Sequence, residues 1–252
     1  MTGTSGFRDL FSRDSTAYAK FRPRYPARLF EWLAGLPEAH RLAWDCATGN
    51  GQAATMLAAH FDRVVGSDAS IAQLQAAARA PRVGYLASLA EANALRSGRV
   101  DFVTVAQALH WLELPRFYAE VDRVAGPGAA LAVWGYALLR ASPAIDALIQ
   151  RFHDETVGPY WSAERKLVVE GYRSVEIPIR EVPAPVFAIE AELTLAELLG
   201  YLRTWSAVGK YRSVNGRDPV EELEPRLAAS WGAPSTARRI EWPLFVRAGR
   251  WR

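Results

Sequence analysis

In the first half of the chain, short apolar runs alternate with segments of helical spacing, and this alternation constrains the fold most strongly. It predicts strands at residues 42–44, 64–67, 83–86, 100–106 and 129–134, with helices at 52–60, 70–80 and 114–124. A Gly126-Pro127-Gly128 turn is expected between the last of these helices and the strand at 129–134. Strands that alternate with helices join through right-handed crossovers, so we predict a mostly parallel sheet with helices on both faces.

The second half of the chain has a different pattern, with long helical segments between two strand-like runs. Helices are predicted over 143–156, 194–207 and 219–231, and strands over 187–193 and 240–246. The two strands are expected to form an antiparallel pair at the sheet edge, while the helices and the segment 158–161 form a cap. The predicted fold class is therefore α/β: a Rossmann-like, doubly wound, mostly parallel sheet with an antiparallel edge strand and a helical cap.

We expect a single domain over residues 1–252. Within it, 1–40 would be an N-terminal cap segment and 41–136 the core of the parallel sheet. Residues 137–252 would supply the cap helices and the terminal strands of the sheet.

The segment from Asp45 to Gly51, Asp-Cys-Ala-Thr-Gly-Asn-Gly, follows the first predicted strand and leads into a helix. Gly49 and Gly51 allow a sharp turn and a close approach of the backbone to a ligand, because they carry no Cβ. The helix that follows offers free N–H groups and the positive end of its dipole. The loop therefore predicts a ligand site at the carboxyl ends of the strands, where sheets of this type bind ligands.

Two acidic residues indicate the kind of ligand. Asp45 lies so near the loop that it would repel a pyrophosphate, whereas it would attract the ammonium group of an amino-acid-like ligand. Asp68 ends the second predicted strand, where a carboxylate can accept hydrogen bonds from ribose hydroxyls. Taken alone, Asp68 could equally begin the next helix as an N-cap or Asx turn. Together the two carboxylates favour S-adenosylmethionine over a nicotinamide dinucleotide.

The stretch 42–134 resembles the class I S-adenosylmethionine-dependent methyltransferases, through the glycine loop, Asp68, the dipeptide 90–91, the strand 100–106 and the turn 126–128. The resemblance implies S-adenosylmethionine as the cofactor. It places Asp45 near the methionine amino group, Ala47, Gly49 and Gly51 against the methionine and ribose, Asp68 on the ribose, Ala90 and Glu91 near the adenine, and Gln107 near the methionine carboxylate. Glu91 could equally be a solvated helix charge. Ala47 replaces the first glycine of the family pattern, and alanine fits there if its φ is negative.

Further segments extend the resemblance over most of the chain, towards the small-molecule methyltransferases related to trans-aconitate methyltransferase. These segments are 18–26, 107–111, 158–161 and 201–206. The resemblance implies O-methylation of a small, carboxylic-acid-like acceptor. The residues expected to act on that acceptor are Tyr18, Arg22, His110 and Trp111.

Several side chains could play more than one part at the acceptor site. His110 could hold an anion or act as a base for a hydroxyl, because its reference pKa is near neutrality, or it could pack beneath the cap. Arg22 or Arg203 could clamp a carboxylate, although most arginines are solvated. Tyr18 and Tyr25 could instead fasten the N-terminal segment over the cofactor mouth. The aromatic residues expected to wall the pocket are Trp111, Tyr160, Trp161 and Trp205.

Composition excludes several other classes of function. The net charge is +3 and the arginines are spread along the chain, so no nucleic-acid partner is expected. Cys46 is the only cysteine, which excludes an intrachain disulfide and a cysteine-based zinc site, and no metal is expected. No segment has the length of uncharged apolar residues that a membrane span needs, so we expect no membrane partner and a cytoplasmic location.

Two alternative functions remain open from the sequence. A nicotinamide-dependent oxidoreductase would share the fold, but the chain lacks the G-x-G-x-x-G pattern. A family member that binds the cofactor without catalysis is the other alternative, and Ala47 gives it some support. The sequence is compatible with a monomer or a dimer.

Overall fold

The computed structural model of the protein describes residues 24–252, which contain one eight-stranded sheet. The strands are β1 (Leu42–Cys46), β2 (Arg63–Asp68), β3 (Val83–Ala87), β4 (Val100–Ala106), β5 (Ala125–Tyr136), β6 (Ile179–Glu181), β7 (Ala188–Leu193) and β8 (Arg238–Trp251). Their order in the sheet is β3-β2-β1-β4-β5-β8-β6, with β7 paired to β8. β1 to β5 are parallel, and β8 runs antiparallel to its three partners β5, β6 and β7. The predicted fold class is confirmed.

Helices cover both faces of the parallel strands, because the strand residues that point to either face are apolar. The helices are α1 (Ala27–Ala34), α2 (Gln52–Leu57), α3 (Ile71–Gln75), α4 (Leu114–Val124), α5 (Pro143–Arg151), α6 (Arg165–Val169), α7 (Leu195–Arg203), α8 (Ser206–Asn215) and α9 (Pro219–Trp231). On one face α1 and α2 pack against Phe102 and Trp134. On the other face α4 packs against Trp44 and Val103. Burial on both faces explains why β4 is an almost continuous apolar run.

The long strand β8 joins the cap to the parallel sheet. Its second half pairs with β5 from Leu244 to Arg250, and its first half pairs with β7 from Arg238 to Pro243. Helices α7, α8 and α9 pack around Ile240 and Trp242 in the first half of the strand. The predicted antiparallel pair is therefore present, and it sets the position of the cap relative to the sheet.

The predicted Gly126-Pro127-Gly128 turn is wrong. These residues belong to β5, which begins directly after α4. A Cβ on Gly126 would lie 3.2 Å from the carbonyl oxygen of Gly98, so the glycine allows two chain segments to approach closely. The pairing of β4 with β5 shifts register at this end, between Val100 and Phe102. Gly126 therefore permits close contact between β5 and the segment that precedes β4, and it does not form a chain reversal.

Some predicted helices have other bounds. The helix expected at 194–207 ends at Arg203, and a second helix, α8, begins at Ser206. Trp205 between them has extended backbone angles and is buried, so tertiary packing interrupts the helical pattern. The helices expected at 52–60 and 70–80 end earlier, at Leu57 and Gln75. No helix within 24–252 is both long and apolar enough to cross a membrane.

Candidate functional site

In the glycine loop between β1 and α2, every second residue from position 47 to 51 has left-handed backbone angles. Ala47 has a φ of 53°, Gly49 of 55° and Gly51 of 78°. Glycine adopts these angles without strain, whereas alanine does so at a cost. Because the alternating turn gives all three positions a positive φ, the condition under which alanine fits at position 47 without strain, a negative φ, is not met.

Tyr85 of β3 supports the loop from the side. A Cβ on Gly51 would lie 2.8 Å from Cζ of Tyr85, so this position requires glycine for steric reasons as well as for its φ. The Tyr85 hydroxyl donates a hydrogen bond of 2.6 Å to the carbonyl oxygen of Ala78. The amide of Ala78 in turn donates to the carbonyl oxygen of Asn50 in the loop, at 3.0 Å. The loop is therefore held by neighbouring segments of the chain.

Asp45 lies beneath the loop with only 1% of its surface exposed. One carboxylate oxygen accepts a hydrogen bond from the Thr48 hydroxyl at 2.5 Å, and the other accepts from the Thr104 hydroxyl at 2.7 Å. Burial raises the pKa of Asp45 to about 6, against the opposing effect of these hydroxyls. In this arrangement Asp45 ties the loop to β4, and its attraction for a ligand ammonium group stays a prediction.

Asp68 at the end of β2 contacts both the loop and the next helix. Its Oδ2 accepts from the amide of Gly49 at 2.9 Å, and its Oδ1 accepts from the amide of Ser70 at 2.8 Å. The Ser70 side chain then caps α3 by accepting from the amide of Gln73. The Asx-turn interpretation of Asp68 is confirmed as local geometry. The same carboxylate also reaches the glycine loop, so its predicted contact with a ribose remains compatible with this position.

Ala90 and Glu91 follow β3 and have different environments. Ala90 is buried, whereas Glu91 is half-buried. The Glu91 carboxylate accepts a hydrogen bond of 2.9 Å from the amide of Glu113, the residue that precedes α4. This contact gives Glu91 a role that the sequence did not indicate, since the sequence suggested either a solvated charge or an adenine contact.

A pocket opens at the carboxyl ends of β4 and β5. It holds about 590 Å³ of space that is continuous with solvent. Its lining residues come from the parallel sheet, the short turn after β4, and the cap: Gln107, His110, Trp111, Tyr136, Trp161, Ser162, Arg165, Tyr201, Trp205 and Ser206. Since β1 and β4 are parallel neighbours, the glycine loop and this pocket leave the sheet at the same edge.

Gln107 stands where β4 leaves the sheet, again with a positive φ, of 57°. Its side-chain oxygen accepts a hydrogen bond from the amide of Tyr136 at 3.2 Å. A Cβ on Gly135 would collide with that oxygen and would lie 3.0 Å from Cε1 of Phe245. Gly135 is thus a site residue that the sequence analysis missed, because its importance depends on a neighbouring strand.

His110 forms the back wall of the pocket. Its Nδ1 lies 2.8 Å from the hydroxyl oxygen of Tyr172, and its ring packs on Trp111 with centroids 4.6 Å apart. Burial, together with the charge of Arg165, lowers the pKa of His110 to about 3. The imidazole is therefore neutral near pH 7, so His110 would hold an anion through a ring N–H group and not through a positive charge.

Comparison with known proteins gives the family. A family model described as a methyltransferase domain matches residues 44–133. A methyltransferase-family protein of Dictyostelium discoideum is 31% identical over 247 residues, which cover 95% of this chain and 94% of that protein. The chain belongs to the class I S-adenosylmethionine-dependent methyltransferases.

A solved structure and a further relative agree with this membership. A protein of Anaeromyxobacter dehalogenans, solved as a type II methyltransferase, is 44% identical with a TM-score of 0.86, covering 91% of this chain and 98% of that one. An uncharacterized methyltransferase of Mycobacterium tuberculosis is 38% identical over 120 residues, 47% of this chain and 49% of that protein. This methyltransferase is thus an enzyme that uses S-adenosylmethionine, and the oxidoreductase alternative is wrong.

The residues at the sheet edge fit that cofactor. Among residues 24–252, a Cβ on Gly49 would have only the Gln73 side-chain oxygen within 4 Å, at 3.9 Å, so these residues leave room for a ligand to approach the backbone. Carboxylates of Asp68 and Glu91 and the amide of Gln107 surround the same edge. These are the hydrogen-bonding groups that an adenosine and an amino acid need.

The structure places only some of the predicted acceptor residues in the pocket. Trp111, Trp161 and Trp205 line the pocket as expected. Tyr160 does not, because its hydroxyl accepts from the side-chain amide of Asn215 and its ring packs elsewhere on the cap. Tyr18 and Arg22 lie outside the described residues, so their predicted roles remain expectations.

Arg203, one of the two arginines that could clamp an acceptor carboxylate, is paired within the cap instead. Its Nε forms an ion pair of 2.7 Å with Asp218, and its Nη2 lies 3.9 Å from a second carboxylate, that of Glu224. Because the end of α7 lies beside the start of α9, the guanidinium is neutralised within the cap. Arg165, which the sequence analysis missed, lines the pocket instead, with its guanidinium 4.8 Å above the ring of Trp161.

Proposed function

We propose that this methyltransferase O-methylates a small carboxylic acid. The observation that carries the proposal is the pocket at the carboxyl ends of β4 and β5, which combines the Arg165 cation and a neutral His110 with aromatic walls. The earlier resemblance to the trans-aconitate methyltransferase group supports the same acceptor class. In this proposal the core, 41–136, holds the cofactor and the segment 137–252 supplies most of the acceptor site.

Arg165 is the group that would recognise the acceptor's charge. A guanidinium presents paired N–H donors that match the two oxygens of a carboxylate. The ring of Trp161 lies against one face of this guanidinium. Such stacking does not use the N–H donors, because they lie in the plane of the guanidinium. The surrounding rings of Trp111 and Trp205 would contact the apolar part of the acceptor and exclude water from it.

The state of His110 favours a carboxylate over a hydroxyl acceptor. A hydroxyl must lose its proton as it is methylated, and an effective base has a pKa near the working pH. Because the pKa of His110 is lowered to about 3, its imidazole is a weak base. A carboxylate has no proton to lose and needs only to be aligned with the methyl group.

The proposed cofactor residues are those that the sequence predicts. Asp45 would lie near the methionine amino group, and Ala47, Gly49 and Gly51 would contact the methionine and ribose. Asp68 would bind the ribose, Ala90 and Glu91 would contact the adenine, and Gln107 would bind the methionine carboxylate. Bound S-adenosylmethionine supplies an electrophilic methyl group, so that methylation of the carboxylate gives a methyl ester and S-adenosylhomocysteine. The protein's part is to hold the carboxylate oxygen in line with that methyl group.

The test is a panel of acceptors in matched sets, each with an acid, the corresponding alcohol and the corresponding amide, assayed with labelled S-adenosylmethionine. We expect turnover of acids only. Arg165→Gln should raise KM for the best acid about tenfold to a hundredfold, the range for a charge-assisted hydrogen bond, with a smaller effect on kcat. Arg99→Gln is the matched control, because Arg99 is exposed and precedes the amino end of β4, at the opposite edge of the sheet. Preferred turnover of alcohols or amides, or an unchanged KM in Arg165→Gln, would contradict the proposal.

A further inference from the structure

We propose that Tyr172 is a positioning residue that fixes His110 in its Nε2–H tautomer, so that the imidazole donates a hydrogen bond to the acceptor instead of taking a proton from it. The inference deepens the proposed function and rests on it for the chemical class of the acceptor. Tyr172 lies in the turn after α6, far from His110 in sequence, and none of the motifs above includes it.

The contact between the two side chains leaves one ring nitrogen for a ligand. His110 lines the pocket, whereas Tyr172 is fully buried behind it. Their hydrogen bond, 2.8 Å long, uses Nδ1 of the imidazole. Because Nδ1 and Nε2 lie on different edges of the ring, Nε2 is the nitrogen that remains for a molecule in the pocket.

The direction of this hydrogen bond follows from the surroundings of the Tyr172 hydroxyl. Tyr172 is fully buried, and within residues 24–252 its hydroxyl has one hydrogen-bond partner, Nδ1 of His110. If Nδ1 carried a proton and donated it, the phenol hydrogen would be buried without an acceptor, which is unfavourable. The hydroxyl therefore donates to Nδ1, which carries no proton.

The protonation states of both groups agree with this direction. Burial raises the pKa of Tyr172 far above neutrality, so the phenol keeps its hydrogen. The pKa of His110 is about 3, and the charged groups that act on it are Arg165, which lowers the pKa, and Glu164, which raises it. A neutral imidazole holds one proton, and with Nδ1 occupied as an acceptor that proton is on Nε2.

The turn that carries Tyr172 is rigid independently of His110. Gly171 and Tyr172 both have positive φ, of 62° and 56°, and a bulky residue with such an angle indicates strain that its surroundings maintain. Arg247 of β8 donates hydrogen bonds to the carbonyl oxygens of Tyr172 and Val175, at 2.8 and 2.6 Å. The Tyr172 ring also meets Phe245 edge-on, with centroids 5.2 Å apart. The sheet therefore positions the phenol, and the phenol positions the histidine.

An Nε2–H donor gives the pocket a preference that Arg165 alone would not. It can bind a carboxylate oxygen, which accepts hydrogen bonds, but it offers no lone pair to a hydroxyl that must lose its proton. Two donors of different geometry, a guanidinium and an imidazole N–H, would fix the orientation of a carboxylate more closely than one.

The direct test is the tautomer of His110 in the full-length protein. Histidine labelled with ¹⁵N is incorporated, and two-bond proton–nitrogen correlation spectra are recorded near pH 7, where bare and protonated ring nitrogens give different patterns. The chain has four histidines, so His110→Gln identifies the signals of His110. We expect a protonated Nε2 and a bare Nδ1. A protonated Nδ1 in the unsubstituted protein would overturn the inference without any variant of Tyr172.

The variant Tyr172→Phe tests the positioning role. It should turn the single tautomer of His110 into a mixture and raise KM for the acid about tenfold, as expected for the loss of one orienting hydrogen bond, with a smaller change in kcat. Tyr118→Phe is the matched control, because the Tyr118 hydroxyl donates to the carbonyl oxygen of Glu176 at 3.0 Å and Tyr118 does not line the pocket. An unchanged tautomer and an unchanged KM in Tyr172→Phe would overturn the inference. Preferred methylation of alcohols by a protein with Nε2–H at His110 would overturn the acceptor class while supporting the tautomer assignment.

Discussion

Replacing Ala47 by glycine should stabilise the protein, although glycine usually destabilises a folded chain. Ala47 has a φ of 53°, in the left-handed region. An L-residue pays roughly 1–2 kcal/mol there. Glycine removes that cost but makes the unfolded chain more flexible, which costs about 0.4–1 kcal/mol. The net gain in the free energy of unfolding is therefore about 0.5–1 kcal/mol, and Tm should rise by roughly 1–4 °C for a chain of this size.

The assay is urea unfolding followed by circular dichroism, with calorimetry for Tm. The matched control is Ala58→Gly, because Ala58 ends α2 with a φ of −62°, where alanine is unstrained. That control should lose about 0.5–1 kcal/mol, so the two alanine-to-glycine changes have opposite signs. A loss of stability in Ala47→Gly as large as that in Ala58→Gly would refute the positive φ at Ala47 and the loop geometry built on it.

Two further predictions concern groups at the sheet edge. Burial raises the pKa of Asp45 to about 6, above the unfolded value of about 3.8, so the folded state binds the proton more tightly and stability falls as pH rises from about 4 to 6. Asp45→Asn should remove this pH dependence. Between pH 4 and 7 the free energy of unfolding of the parent should therefore fall by on the order of 2 kcal/mol relative to that of the variant. A difference between the two proteins that does not change with pH would contradict this prediction. Gly135→Ala should lower the affinity for S-adenosylhomocysteine about tenfold or more, because the added methyl group displaces the Gln107 side chain. Titration calorimetry measures this affinity, and an unchanged value would exclude Gln107 from the cofactor site.

The sequence predicted those elements whose limits are local. The bounds of β4, α4 and α9 agree with the structure, because a buried apolar run, Pro115 in the first turn of α4 and the Asp218 cap of α9 mark them directly. The Ser70 cap of α3 is a signal of the same kind, because serine is a preferred N-cap residue. Such signals depend on neighbours within a few residues.

The errors come from contacts between distant segments. Gly126 is a strand residue because Gly98 approaches it, and α7 ends where Trp205 enters the cap core. Arg203 and Arg165 are equivalent in sequence terms, but α9 neutralises the first while the second lines the pocket. The role of Tyr172 also depends on packing, since only the folded turn brings its hydroxyl to His110. Periodicity shows which residues are buried, but it does not show which elements they meet.

The central claim is that the pocket at the carboxyl ends of β4 and β5 presents a carboxylate to the methyl group. The most direct measurement is the chemical identity of the product formed from ¹³C-methyl S-adenosylmethionine and the best acid of the panel, by mass spectrometry before and after alkaline hydrolysis. The account predicts an ester: the acid gains one labelled methyl group, and alkali returns the original acid with labelled methanol. A methyl group that survives alkali, as an ether or an N-methyl group does, would contradict the account.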